Sequence, residues 1–390
     1  MNINSLKSFV LKRFTNNLGK LSSSNQWYSL DLFGSSEAQR NFKYYTDRGY
    51  GENPYLFMVV NKISNIVSGL NYELVDPNNK IITSGPEYDL LKQPNTHQTF
   101  KELVSDYSTD YLVTGNGYLH GMELEGMGMG ELKTLRSKQT SVVLDRIGEV
   151  EKYVQIEYSK DTPYLPDTVN HIKTPNIVGI DDDEIYGLSP VEILEKIIEA
   201  SNQINIASAA MFKNKGVIGI LTNRSDVPML RKDRIKIQKE LVGDIGGAKN
   251  YNGVGVSNQD LNYIKMGMTP TDMKMIEQNI EYLRTICSVY GLDSSLFNDP
   301  ANKTYNNRAE AQKAAYTDVF IPVAEKVVLN TFNEWLLKEK LKSPLRLRIN
   351  KDNIEVLSTI NADLTAKVIS ELNAGILTAQ EAKEILYPNE

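Results

Sequence analysis

The side chains best placed for chemistry in this chain are four consecutive carboxylates, Asp181-Asp182-Asp183-Glu184. Hard cations such as Mg²⁺ take carboxylate oxygens, and a pair holding one would suit phosphoryl chemistry. In extended chain, neighbours point to opposite sides, so at most Asp181 and Asp183 converge. Spacing brings no further carboxylate beside them, and a solvated acidic loop is the simpler reading of the run. A Mg-dependent nucleic-acid enzyme using Asp181 and Asp183 is the alternative. Other reactive types are scarce. Three histidines, His97, His120 and His171, are too few for a His-rich metal site, and Cys287 is the single cysteine. No intramolecular disulfide can form, and a reducing compartment is the natural place of assembly. Gly126-Met127-Gly128-Met129-Gly130 lacks the G-x-G-x-x-G spacing and opens no helix, so it reads as a turn. No G-x-x-x-x-G-K-[ST] cradle, nucleophile elbow or Cys/His nucleophile spacing occurs. The expectation is a protein with no catalytic residue, no metal and no cofactor.

The elements that would position any site are clearer. At 390 residues the chain exceeds the size at which one core stops growing, so several structural regions are expected. No apolar run is long enough for a membrane span. Residues 3–21 alternate Leu6, Phe9, Val10, Phe14 and Leu18 with Lys7, Lys12, Arg13 and Lys20. Such an arm fits either a basic amphipathic helix or a loosely ordered terminus. The net charge of −6 argues against a protein that grips DNA over a broad basic face.

The dominant stretch is Tyr186-Gly187-Leu188-Ser189-Pro190. Ser189 suits an N-cap, Pro190 the first helical position, and Glu192 completes a capping box. Ile193, Ile197, Ala200, Ile204, Ala207 and Met211 then form a seam at alternating four- and three-residue spacing. A second seam, Met273, Ile276, Ile280, Leu283, Cys287 and Tyr290, follows Thr269-Pro270 and stops at Gly291. Between the two lie strands at 217–221 and 261–266 and a basic helix over 228–242. Two seam-bearing helices bracketing a β-containing insert predict an antiparallel pair.

Before the first seam, residues 22–54 read as loop and 55–185 as an α+β region. Within it the spacing predicts a helix from Leu56 to Gly69, a strand at 71–75 returning through Ile81-Ile82-Thr83, and a helix capped by Thr99 and Glu102 ending at Gly115. Strands follow near 115–124, 132–135, 142–144, 153–156 and 171–173. After the second seam, 291–306 is loop. Asn307 caps a long helix to about Lys340, and Pro322 inside it removes a donor from the Asp318 carbonyl and predicts a kink. A strand at 345–349 precedes a helical tail with a stop at Gly375 and a capping box at Thr378–Glu381.

These blocks, in order, resemble the portal proteins (head-to-tail connectors) of tailed bacteriophages, of the long-tailed-phage capsid type. The matching stretches are Leu90-Leu91-x-x-Pro94-Asn95 with Thr99-Phe100, Gly115-Asn116-Gly117-Tyr118, Tyr186-Gly187-Leu188-Ser189-Pro190, and Phe212-Lys213-Asn214-Lys215-Gly216. Tyr290-Gly291-Leu292, Phe320-Ile321-Pro322, Leu372-Asn373-Ala374-Gly375-Ile376-Leu377-Thr378 and Glu381-Ala382 complete the set. Asp293-Ser294-Ser295 stands where the family often shows a Pro-rich turn.

The resemblance implies an α+β chain with an N-terminal arm (1–54), wing (55–185), first stem helix (186–214), clip (215–267) and second stem helix (268–290). A tunnel loop (291–306), a kinked tunnel helix (307–341), a strand returning to the wing (342–355) and a crown (356–390) would follow. It further implies a homo-oligomeric ring, typically a dodecamer, in the virion at one capsid vertex, assembled in the host cytoplasm. Viral dsDNA would pass through its channel. The terminase large subunit, the major capsid protein and a head-completion or tail adaptor would be its partners. Asn298, Asn302, Lys303, Thr304, Tyr305 and Asn306 would line the constriction, with Arg308 and Lys313 further along. Arg231, Lys232, Arg234 and Lys236 would face a clip partner. Solvated surface is the competing reading for these bases, and a capsid scaffold or adaptor without a channel is the competing function.

Overall fold

The computed structural model describes residues 42–124, 128–157, 160–178, 184–213, 219–223, 230–232, 235–236, 261–265, 274–297, 299, 305–351, 354, 356–357, 367–378 and 380–382. The first described element corrects the loop expected over 22–54. Residues 42–44 are helical and run into α1 (Tyr45–Tyr50), wound as a π-helix, with Phe42 and Tyr45 buried. Helix α2 (Pro54–Gly69) opens with Asn53, whose side chain accepts from the Tyr55 and Leu56 N–H groups, and with proline in the first turn. Its Leu56, Val59, Val60, Ile63 and Val67 form a fully buried face.

Strand β1 (Tyr72–Val75) pairs differently from expectation. Ile81 contributes only an isolated bridge to Val75, and β1 instead lies antiparallel to β10 (Arg346–Ile349), with Leu74 opposite Leu347. The Arg348–Glu73 ion pair across this ladder (3.0 Å) explains part of the preference, since a return hairpin offers Glu73 no cation. Helix α3 (Pro86–Lys92) leaves little signal beyond Leu90 and Leu91, which it buries. Helix α4 (Phe100–Thr114) has the full capping box at Thr99 and Glu102 and ends on Gly115 in the left-handed region (φ 74).

Two antiparallel three-stranded sheets follow. The first has the order β3-β2-β7, from β2 (Asn116–Leu124), β3 (Gly128–Leu135) and β7 (Val169–Lys173). The second runs β4-β5-β6, from β4 (Thr140–Leu144), β5 (Val150–Glu157) and β6 (Lys160–Tyr164). Gly128-Met129-Gly130 therefore belongs to β3, correcting the turn reading, and the strand absorbs the glycines beside a register shift at Met122/Glu123. Pro163 sits in β6 at a sheet edge, where its missing donor is tolerated.

The first long helix is divided. A short α5 (Pro190–Ile193) is separated by Leu194 from α6 (Glu195–Lys213). Its buried seam also differs from the expected one. Val191, Leu194 and Ile198, continued by Ser201 and Asn202, face the core, while Ile193 and Ile206 are each 61% exposed. The buried positions keep three- and four-residue steps through the break at Leu194, so the seam is continuous and lies on a different face from the one counted from Ile193. The residues between α6 and the second helix include β8 (Gly219–Asn223) and β9 (Leu261–Lys265), paired antiparallel. Helix α7 (Met275–Val289) packs against α6, linked by Asn279 Nδ2 donating to Asn205 Oδ1 (3.2 Å), and buries Leu283, Ile286, Cys287 and Tyr290.

The last long helix, α8, starts at Tyr305, two residues before the expected cap, and continues to Lys340. Its winding alternates: α over Tyr305–Ala315, π over Tyr316–Phe320, α over Ile321–Ala324, then π over Glu325–Leu329 and Thr331–Lys340. Pro322 therefore brings a change of winding and no stop. The Ile321 N–H donates to the Tyr316 carbonyl five residues back, which is how a helix absorbs a position lacking a donor. Phe320, Phe332, Tyr107 and Tyr118 are the largest fully buried side chains. Each apolar ring of this size stabilises the core by roughly 2–3 kcal/mol relative to exposure.

Candidate functional site

Two turns carry the polar side chains that the sequence motifs single out. The first joins β2 to α5. Gly115 and Gly187 approach so closely that a Cβ on Gly187 would lie 2.1 Å from the Gly115 carbonyl oxygen, and one on Gly115 would lie 2.4 Å from the Leu188 oxygen. Buried Asn116 closes the gap. Its Nδ2 donates to the Thr114 (2.9 Å) and Gly187 (3.2 Å) carbonyls, and its Oδ1 accepts from the Gly187 N–H (2.7 Å). His171 Nε2 lies 3.0 Å from that same Oδ1, so the ring must carry its proton on Nε2. Burial, helped by Lys173, holds the His171 pKa down to about 3, which keeps the ring neutral in this role. Thr174 Oγ1 donates to the Leu188 carbonyl (2.6 Å) and Ser189 Oγ to that of Val113 (2.6 Å). Ser189 also caps α5, accepting from the Val191 N–H (3.1 Å). The joint locks backbone to backbone and contains no arrangement suited to catalysis.

The second turn follows α7. Gly291 adopts φ 72, and Asp293 Oδ1 accepts from the Ser295 N–H (2.7 Å) to start the short 3₁₀ turn Ser294–Phe297. Asp299 is almost fully buried and accepts a forked pair from Arg284, Nε to Oδ2 at 2.6 Å and a terminal nitrogen to Oδ1 at 2.9 Å. Ser294 Oγ adds a third bond to Oδ2 (2.7 Å). The Tyr290 hydroxyl donates to the Leu112 carbonyl (2.9 Å), fastening the end of α7 to α4. So the root of the 291–306 segment is fixed at Gly291–Phe297 and again at Asp299.

The residues named from the sequence fall unevenly on this frame. Asn298, Asn302, Lys303, Thr304, Arg234, Asp181 and Asp183 lie outside the described residues, as does the 3–21 arm. Tyr305 and Asn306 open α8, Arg308 on its first turns is exposed, and Lys313 is half-buried. Arg231, Lys232 and Lys236 are helical and exposed. Pro322 is exposed on α8. Sequence reasoning missed Asp299, Arg284 and Asn116 as the groups holding the turns. Asn116 stood inside a quoted motif, but Arg284 and Asp299 share no periodicity that would pair them. Among the described residues, no group of three His, Cys, Asp or Glu side chains gathers as for a metal, and no helix is long and apolar enough to cross a membrane.

The model of the phage portal protein family matches residues 54–386, nearly the whole described fold. The chain belongs to the phage portal protein family. Among solved structures, the chain is similar to the neck of an empty GTA particle computed with C6 symmetry, at 25% identity and TM-score 0.68, over 89% of this chain and 93% of that one. The neck of the native GTA particle computed with C12 symmetry matches over the same shares at 24% identity and TM-score 0.66. An HK97-family phage portal protein from Corynebacterium diphtheriae shares the fold at TM-score 0.52 and 13% identity, over 79% of this chain and 94% of that one. An uncharacterized protein of Rickettsia bellii (strain RML369-C) is 23% identical over 343 residues, 86% of each chain. The mixed helix and sheet architecture of this portal-family chain is thus shared with portal and neck proteins.

Proposed function

We propose that this portal-family chain assembles into a ring at one vertex of a capsid and forms the conduit through which duplex DNA is packaged and released. The observation that carries the reading is the agreement in fold with a particle neck over 89% of the chain. The C12 symmetry of a related neck supports twelve copies per ring. In this reading 55–185 is the wing, 186–214 and 268–290 the stem, 215–267 the clip, 291–306 the tunnel loop and 356–390 the crown. Packing of α6 on α7 suits the stem, and the fixed root at Asp299 suits a loop that must hold its place beside a moving polymer. Asn298 to Asn306 line the constriction, with Lys303 repeated by symmetry into a positive collar. Arg231, Lys232, Arg234 and Lys236 meet the terminase large subunit during packaging and a head-completion or tail adaptor afterwards, and the ring's edge meets the major capsid protein. The work is mechanical and electrostatic, with no catalytic step.

Negative-stain imaging with native mass measurement of the purified chain tests the reading. Rings with a central hole are expected; a monomer at every salt concentration overturns it. Deleting Asn298–Tyr305 should leave rings intact yet reduce DNA packaging or retention. Normally filled heads from that deletion would remove the tunnel-loop assignment.

A further inference from the structure

The β4–β5 hairpin ends in a tightly tied tip. Asp145 Oδ1 accepts from the Ile147 N–H (2.8 Å) and the Glu149 N–H (3.0 Å), and the Asp145 N–H donates to the Glu149 carbonyl (2.8 Å). Gly148 supplies the left-handed position of the turn (φ 88). The backbone so tied holds Ile147 out at 82% exposure, beside exposed Arg146. A lone exposed aliphatic is common on protein surfaces, but one presented on a fixed turn is already ordered for a contact. Among the described residues Arg146 has no ion-pair partner. A register shift between Val143 and Leu144 re-aims this end of the hairpin.

A cleft of about 500 Å³ opens between β7 and the last turns of α8. Ile172 and buried Trp335 line it with apolar surface, and Glu334, Lys338 and Glu339 stand at its exposed rim. Lys338 answers Glu334 (2.5 Å), so the rim carries one more carboxylate than ammonium. The wall is preformed, since Asn170 Oδ1 accepts from the Tyr107 and Thr331 hydroxyls at 3.3 Å each. β7 is also an edge of its sheet. The opposite edge is covered by the chain itself: the Leu132 N–H donates to the Pro94 carbonyl (2.7 Å), and Asn95 Nδ2 donates to the Leu132 carbonyl (3.0 Å). Among the described residues no strand or loop pairs with the free side of β7, so open backbone lies beside the cleft.

We propose that the Arg146-Ile147 tip of one copy enters the Trp335 cleft of another, joining copies of this chain through two different surfaces. Ile147 takes the apolar floor at Ile172 and Trp335, and Arg146 takes the acidic rim at Glu334 and Glu339. The exposure of Ile147 shows that it does not fill the cleft of its own chain. A contact between unlike surfaces is heterologous, the kind that closes into a ring when the rotation between copies permits. Closure into a ring rests on the conduit reading; the contact rests on the tip and the cleft.

The test mixes two full-length variants, Ile147→Cys and Asn330→Cys, the second at an exposed residue lining the cleft, and adds a short bis-maleimide. Cys287 is buried and its thiol is pushed up to about 12 by burial, so it stays silent. A cross-linked pair holding one chain of each variant is expected in denaturing gels. Ile177→Cys, at a residue 94% exposed, is the comparison and should link far less to Asn330→Cys. In sedimentation, Ile147→Ser should weaken self-association about tenfold and Arg146→Glu about fivefold. Adding Glu339→Lys to Arg146→Glu should recover most of that loss. All these positions are exposed, so the variants keep the fold. Absence of the mixed pair, with wild-type association in Ile147→Ser and Arg146→Glu, overturns the contact. Rings that persist unchanged in those variants keep the conduit and remove the contact. Mixed pairs without rings keep the contact and remove closure. Preferential linking of Asn330→Cys to Ile177→Cys gives the cleft to another segment and overturns the hairpin as its occupant.

Discussion

At the joint between β2 and α5, Asn116, His171, Thr174 and Ser189 bind backbone atoms or one another at 2.6–3.2 Å, all in neutral form. At the end of α7, Arg284 and Asp299 hold their turn through a charged fork at 2.6 and 2.9 Å. The neutral joint fixes two glycine backbones in contact and leaves no room for a side chain. The charged anchor grips one buried carboxylate from two sides, Arg284 and Ser294. The difference teaches where each region has slack. A neutral buried network is insensitive to salt and intolerant of volume, whereas an ion-paired root responds to the loss of either charge.

The comparison breaks most sharply at Gly187. Gly187→Ala places a methyl 2.1 Å from the Gly115 oxygen, so two backbones must separate and the Asn116 bonds with them. A loss of about 4 kcal/mol in urea unfolding is expected, among the larger effects of one substitution. A loss under 1 kcal/mol would mean that the joint can open, and that the contrast with the charged anchor is false.

At the anchor, Asp299→Asn keeps the size and removes the charge. Two charge-assisted bonds weaken, for an expected loss of about 2 kcal/mol measured the same way, and the difference from wild type should shrink at high salt. A salt-independent difference would place Asp299 with the neutral class.

Acid sharpens the contrast from the other side. The folded-state pKa of His171 lies below its ordinary value, so the folded state binds the proton less tightly than the unfolded one. Stability present above pH 6.5 is therefore lost as pH falls toward 3. About 2 kcal/mol should disappear between pH 6.5 and 4.5 after allowing for the ring's partial exposure. Asp110 works in the opposite sense, since burial pushes its carboxyl up to about 6 and favours the folded state as it protonates. Comparing wild type with His171→Gln isolates the imidazole; parallel stability curves would show that His171 is not held neutral by the fold.

The two regions were not equally legible in the sequence. Thr99 with Glu102, Gly115, Ser189 and Pro190 announce their helix ends because capping needs those residue types at fixed local spacing. The ordered motifs around them carried the family. The α6 seam was misjudged because its buried face continues into the polar Ser201 and Asn202, which a count of apolar residues begun at the exposed Ile193 passes over. The pairing of β1 with β10 is invisible locally, as its partners are some 270 residues apart and meet only after α8 has packed. Arg284 and Asp299 find each other across a turn whose path no periodicity describes, so the candidate site was legible in its location and not in what holds it.

Ser189 tests whether the joint acts as one unit. Ser189 serves it twice, donating to the Val113 carbonyl at 2.6 Å and accepting from the Val191 N–H at 3.1 Å as the cap of α5. A lone N-cap removed by alanine costs about 1 kcal/mol, because one exposed helix-end donor returns to water. Ser189 is fully buried, so Ser189→Ala also leaves the Val113 carbonyl without a donor and without water. The expected loss is therefore about 2 kcal/mol, with Ser189→Thr recovering most of it if the added methyl fits. A loss of 1 kcal/mol or less would mean that the carbonyl finds another partner and that the cap is independent of the joint. Combined with His171→Gln, whose target Asn116 lies in the same network, Ser189→Ala should cost less than the sum of the two, since each loosens what the other holds. Simple additivity would divide the joint into separate contacts, and its contrast with the two-residue anchor at Asp299 would then be one of size alone.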